Sequence, residues 1–203
     1  MIGYVRQVSP FELASFRRNP GKIREMLDEE TLGLFPPNAR AAIERMQQIR
    51  SSGQRDSSEL RQLGARLSQE MQKQDLLSRD DEKSLSLEKS WHVLHYLLTG
   101  TAGDAPPPLG NAILGGKKIG GDVGYGPARF LTPAQVREVA EALAATSKDE
   151  LIRRYDVAAM ERAKIYTFRG EDVMEDGLYY FDKLAEYYAE AAELGNGVLL
   201  YIR

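Results

Sequence analysis

Leu87-Glu88-Lys89-Ser90-Trp91-His92-Val93-Leu94-His95-Tyr96-Leu97-Leu98-Thr99-Gly100 is the stretch on which the fold turns. Leu87, Trp91, Leu94 and Leu98 recur at helical spacing and fall on one face. Lys89, His92 and Tyr96 share the opposite side, and His95 borders Trp91. Thr99-Gly100 stops the helix, because glycine takes the left-handed conformation that closes a helical end without steric cost. A helix this apolar needs a second layer to bury against. It also carries the sole tryptophan and both histidines of the chain.

Working outward, Thr101 to Leu109, with Ala105-Pro106-Pro107-Pro108, reads as loop. Ala112-Ile113-Leu114 is a short apolar strand candidate. Gly115 to Gly126 is a glycine-rich loop, and Ala128 to Leu131 is a short extended segment. Thr132-Pro133-Ala134-Gln135 opens a helix to about Ala145, with Thr132 as N-cap and Gln135 closing a capping box. Val136, Val139, Ala140 and Leu143 face its core side. Ser147 caps the next helix, with Glu150 three residues on. Ala163 to Thr167 reads as a strand. A long helix covers roughly Met174 to Leu194 and ends at Gly195-Asn196-Gly197. Val198 to Ile202 is an apolar closing strand. At the other end, Ile2 to Val8 is a strand. Ser9-Pro10 with Glu12 starts a helix that Asn19-Pro20-Gly21 ends, and a second short helix runs from Lys22 to about Asp28.

Asn38 to Arg79 differs in texture. Ala42, Ile43, Met46 and Ile49 give one helical stripe. Leu60, Leu63, Leu67 and Met71 give another, with Ser51-Ser52-Gly53 between them. The expectation is a helical hairpin. Arg40 to Lys83 holds nine basic and eight acidic residues and no aromatics, so this arm reads as solvated and salt-bridged rather than nucleic-acid binding. The whole is expected to be α+β: a small mixed sheet of about five short strands packed with several helices. Residues 1–203 form a single domain on this reading, with 38–83 a charged helical insertion.

At 203 residues, 42% hydrophobic and 28% charged, the chain has the length and composition of one soluble globular domain with its own core. The absence of cysteine excludes disulfides, thiolate nucleophiles and cysteine-ligated metals, and fits a reducing compartment. Met-Ile-Gly-Tyr-Val-Arg lacks a charged leader followed by an apolar run, so no signal peptide is expected. No apolar run approaches the roughly 20 residues that span a bilayer. The expected location is cytoplasmic, without membrane contact. A net charge of −3 makes nucleic acid an unexpected partner.

For chemistry, His92 and His95 come first, since histidine titrates near neutral pH. His-x-x-His puts two metal ligands within reach on a helix, with Asp122 a candidate third. Nothing in the spacing fixes that geometry, so hydrogen-bonded packing beside Trp91 is expected, and no metal or cofactor. A general-base role for one of the two is the competing reading. Lys89 opens the helix and suits an anion. The loop from Gly115 to Gly126 permits close backbone approach to a ligand, and Lys117 and Lys118 suit a phosphate, but it matches neither phosphate-loop pattern. Gly124-Tyr125-Gly126-Pro127 also makes a rigid turn, with Tyr125 expected to cover the core. Arg129 suits a bidentate phosphate or carboxylate contact, or a structural pair with Asp122. No nucleophile–base pair stands out. Ser90 and His92, two apart on a helix, point away from each other.

The last helix is strongly charged. From Glu171 to Glu193 eight acids (Glu171, Asp172, Glu175, Asp176, Asp182, Glu186, Glu190, Glu193) stand against Lys183, a net of −7. Leu178, Phe181, Leu184, Tyr188 and Ala192 form its other face. Such a field either solvates a surface helix or speeds and selects a basic partner.

Three blocks in order carry a family resemblance. Leu87 to Gly100, Ala112 to Gly116 and Gly124 to Pro133 resemble the corresponding blocks of the YfbM-like family, bacterial proteins of unknown function. Tyr4 to Leu13, the C-terminal aromatic helix and the closing strand are similar as well. Glu88 stands where the family commonly has an Asp, and 38–83 is longer than is typical. The resemblance implies an α+β cytoplasmic domain and no established reaction. Small families of this kind often act as immunity proteins beside toxins.

Two functional readings follow. The first is a non-enzymatic protein-binding domain of immunity or inhibitor type, monomer or homodimer. It docks a basic, toxin-like partner through Asp182, Glu186, Glu190 and Glu193 of the acidic helix, or through the Asn38 to Lys83 hairpin. The second is a small-ligand binder or enzyme, using a cleft between the Lys89–His95 helix and the Gly115–Arg129 loop, with Lys89, His92, His95, Tyr125 and Arg129 as contacts. The missing catalytic constellation favours the first.

Overall fold

The computed structural model describes residues 1–33, 37–51, 57–72, 83–166 and 172–203. In chain order these form β1 (Gly3–Val8), α1 (Pro10–Arg18), α2 (Gly21–Gly33), α3 (Pro37–Ser51), α4 (Ser57–Gln72) and β2 (Ser84–Ser86). A 3-10 turn (Glu88–Ser90) then leads into α5 (Trp91–Thr99). After it come β3 (Lys117–Asp122), β4 (Pro127–Leu131), α6 (Pro133–Ala145), α7 (Lys148–Arg154), α8 (Val157–Arg162), α9 (Val173–Glu193) and β5 (Gly197–Ile202). The fold is α+β, with nine α-helices and five strands among the described residues. None of these helices is long and apolar enough to cross a membrane.

The chain divides into two compact units, residues 1–22 with 80–203, and residues 23–79. In the second, α3 and α4 pack together, and Arg45 Nε meets Glu59 Oε1 at 2.8 Å. Ala42 and Ile49 are buried, while Leu60, Leu63 and Leu67 are half-buried. Ser52, Gly53 and the side chain of Met71 lie outside the described residues.

The first unit holds the sheet, ordered β2-β1-β5-β4-β3. Its pairings are antiparallel throughout rather than mixed. Alternation along the strands gives it two apolar faces. Val5, Leu131, Val198 and Leu200 belong to the main core with α5, α6 and α9. On the other face α1 covers the sheet: Leu13 reaches Gly197, and the Arg17 guanidinium lies over Phe130.

Both capping boxes form as the sequence dictates, Ser9 with Glu12 and Thr132 with Gln135. Burial raises the pKa of the Glu12 carboxyl, but the Ser9 hydrogen bonds and the Lys83 and Arg6 charges outweigh it and hold the group below its ordinary range.

Two strand expectations fail. Ala112 to Leu114 is turn, and Ala163 to Tyr166 is turn and coil, with Thr167 outside the described residues. Their places are taken by β2 and by β3, the latter inside the stretch expected to be loop.

Candidate functional site

Helix α5 is stapled on its polar side. Its backbone is fixed at both ends. Trp91 lies so close to Gly3 that a Cβ there would be 2.5 Å from the Trp91 Cβ. Gly100 closes the C-terminus at φ 73°. One nitrogen of the Arg154 guanidinium donates to the Leu97 and Leu98 carbonyls at 2.9 and 2.8 Å, a cation on the negative helix end. His92 stacks on Trp91 with centroids 4.6 Å apart. Its Nδ1 accepts from the Tyr166 amide at 2.8 Å, so its proton resides on Nε2, which donates to the Ala102 carbonyl at 2.7 Å. His95 is fully buried, and its Nε2 donates to the Gly103 carbonyl at 2.7 Å. Among the described residues its Nδ1 has no hydrogen-bond partner. Desolvation lowers both imidazole pKa values, against the opposing effect of those carbonyls. On His95 the neighbouring His92 adds to the lowering and Asp104 opposes it. Both rings are therefore neutral and hold residues 101–103 and Tyr166 against the helix.

The other predicted ligand contacts lie elsewhere. Lys89 is exposed in the 3-10 turn, and Arg129 is half-buried on β4, where it donates to the Gly116 carbonyl at 3.3 Å. Tyr125 does not cover the core: it is 63% exposed at the β3–β4 turn, and Val123 is the buried residue there. The turn's amides are used internally, since Asp122 Oδ1 accepts from Gly124 and Gly126 at 2.7 and 3.1 Å. Asn111 Oδ1 likewise accepts from Gly116 at 3.0 Å. Of the five residues, the structure groups only His92 and His95, on one helix. An open concavity is lined by Pro107, Pro108, Glu138, Glu141 and Ala142, and none of the five lines it. Among the described residues no cluster of three or more His, Asp or Glu could hold a metal.

The acidic helix presents the opposite arrangement. Gly177, Phe181, Leu184, Tyr187, Tyr188 and Ala191 are its buried face. Gly177 allows the close crossing of α5, where a Cβ would come 3.1 Å from Leu97. At 100° per residue, Glu175, Asp182, Glu186, Glu190 and Glu193 fall together on the far side. All but Asp182 are exposed. Asp182 pairs with Lys148 at 2.6 Å. Glu186, Glu190 and Glu193 make no ion pair among the described residues. Glu171 lies outside those residues.

Sequence reading passed over Tyr179. It lies within the acidic stripe at 56% exposure, with Lys183 Nζ 5.8 Å from its ring centroid. An aromatic four residues before the helix's sole lysine is the sequence signal that marks it.

The family model for a domain of unknown function, DUF1877, matches residues 1–201. The chain belongs to this family. Among solved structures it is similar to YfbM from Escherichia coli, a protein of unknown function, with a TM-score of 0.59 and 19% identity over 98% of each chain. That likeness shows a shared fold. No curated protein matches the chain. The DUF1877 fold accounts for the three sequence blocks. The first supplies α5, the second the turn after Asn111, and the third the β3–β4 turn and β4 with the start of α6.

Proposed function

We propose that this DUF1877 chain is a cytoplasmic, non-enzymatic protein-binding domain. It docks a basic partner through the outer face of α9, in the manner of an immunity or inhibitor protein, as a monomer or homodimer. One observation carries the reading: Glu186, Glu190 and Glu193 point away from the buried face and are neutralised by no ion pair among the described residues. Their field is therefore available to an incoming surface, where it raises the association rate and rejects acidic competitors. The histidines give the enzymatic alternative little support, because their protons are committed to backbone carbonyls.

The test is capture from the native host with wild type and with Glu186→Lys/Glu190→Lys, bound proteins being identified by mass spectrometry. The expected result is a basic protein retained by wild type and lost by the variant. Equal retention by the two, with both folded, overturns the proposal.

A further inference from the structure

Tyr179 is unusual among the exposed apolar groups because of where it stands. It follows Glu175 by one turn and precedes Asp182 by one, so its ring sits inside the negative field of α9. Tyr180 meets its ring at 81° with centroids 5.2 Å apart, which limits how it turns. One turn on, α7 packs on α9 and is tied there by Lys148 to Asp182. The result is an exposed aromatic ring with a charged rim, the kind of anchor that interface hot spots use. The face of this ring already attracts a cation, Lys183 from the next turn.

We infer that Tyr179 is the anchor for an arginine side chain of the partner, and that Lys183 is a resident competitor for the same ring face. The inference rests on the docking reading of α9 above. An aromatic ring surrounded by carboxylates binds a cation through both its quadrupole and their charge. Arginine suits it better than lysine. A guanidinium is planar, weakly hydrated and stacks, while its donors remain free for Glu175. An incoming lysine would exchange one ammonium for another, whereas an incoming arginine gains the stacking contact. Lys183 thereby turns a merely acidic face into one that selects arginine. A second copy of this chain does not fit, since it would set one acidic stripe against another.

The test uses an oligoarginine and an oligolysine peptide of equal length, titrated against the full chain at low salt. Wild type is expected to prefer oligoarginine by roughly two- to fivefold, the scale of an exposed cation–π contact. Tyr179→Leu should abolish that preference without changing the melting curve. Lys183→Gln should raise affinity for both peptides in wild-type background through charge. The ratio of the two affinities should change in that variant only when Tyr179 is present. If Glu186→Lys/Glu190→Lys leaves binding of either peptide unchanged, the docking reading itself falls. If that variant loses binding while Tyr179→Leu keeps the wild-type arginine preference, the anchor inference alone is overturned.

Discussion

In α5 both histidines, His95 buried and His92 half-buried, spend their ring hydrogens on backbone carbonyls. In α9, on the same unit, three glutamates turn outward and make no ion pair among the described residues. The contrast is one of solvation. A buried imidazole must find partners or stay neutral, because desolvation penalises its charged form. A carboxylate on a solvated face keeps its charge at little cost and can offer it to a partner. The residue type that most suggests chemistry therefore does structural service here, and the one that most suggests a bland surface is where recognition is possible.

Four experiments break or sharpen this contrast. Trp91→Ala should have the largest effect, a loss of about 3–5 kcal/mol in denaturant unfolding, since it empties the space beneath Gly3 and His92. His92→Leu should come next. It strands the Ala102 carbonyl and the Tyr166 amide, each at about 1–3 kcal/mol if buried from water. His92→Gln, which can still donate to one carbonyl, should recover part of that loss.

A smaller effect is expected from pH. Both histidines are lowered in the fold by burial, so the unfolded chain takes up protons first, near its ordinary value of about 6.5. Stability is full above that value. It falls as pH drops toward the folded imidazole values and flattens below them. Melting temperatures between about pH 7.5 and 5.5 should show this slope, and the slope should shrink in His92→Gln/His95→Gln. An unchanged slope would remove the neutral-histidine account. The smallest effect on stability belongs to Glu186→Lys/Glu190→Lys, expected within about 0.5 kcal/mol of wild type in the same unfolding assay. A large loss there would mean that α9's outer face is structural too.

Local signals predicted local structure well. Ser9 with Glu12 and Thr132 with Gln135 mark helix starts because the cap is made within four residues. Val198 to Ile202 shows itself by apolarity alone. The failures are the segments whose state depends on distant partners. Ser84-Leu85-Ser86 carries almost no strand signal, yet it is a strand because it pairs with Tyr4 to Arg6. Lys117 to Asp122 is rich in glycine, yet it pairs with β4 around a bulge. Ala112 to Leu114 has strand composition but sits in a turn whose Ala112 carbonyl accepts from the Tyr188 hydroxyl. An aromatic side chain such as Tyr125 suggests a core cover, but the turn gives the inward position to Val123. For the site, helical spacing alone puts Glu186, Glu190 and Glu193 on one face, whereas the contact of Lys183 with the Tyr179 ring is visible only in the folded helix.

The most direct test of the central claim is the affinity of the captured basic partner for wild type and for Glu186→Lys/Glu190→Lys, measured at low and high salt. Strong, salt-sensitive binding by wild type and none by the variant is the result the docking account predicts. Equal, salt-insensitive binding by both would contradict it.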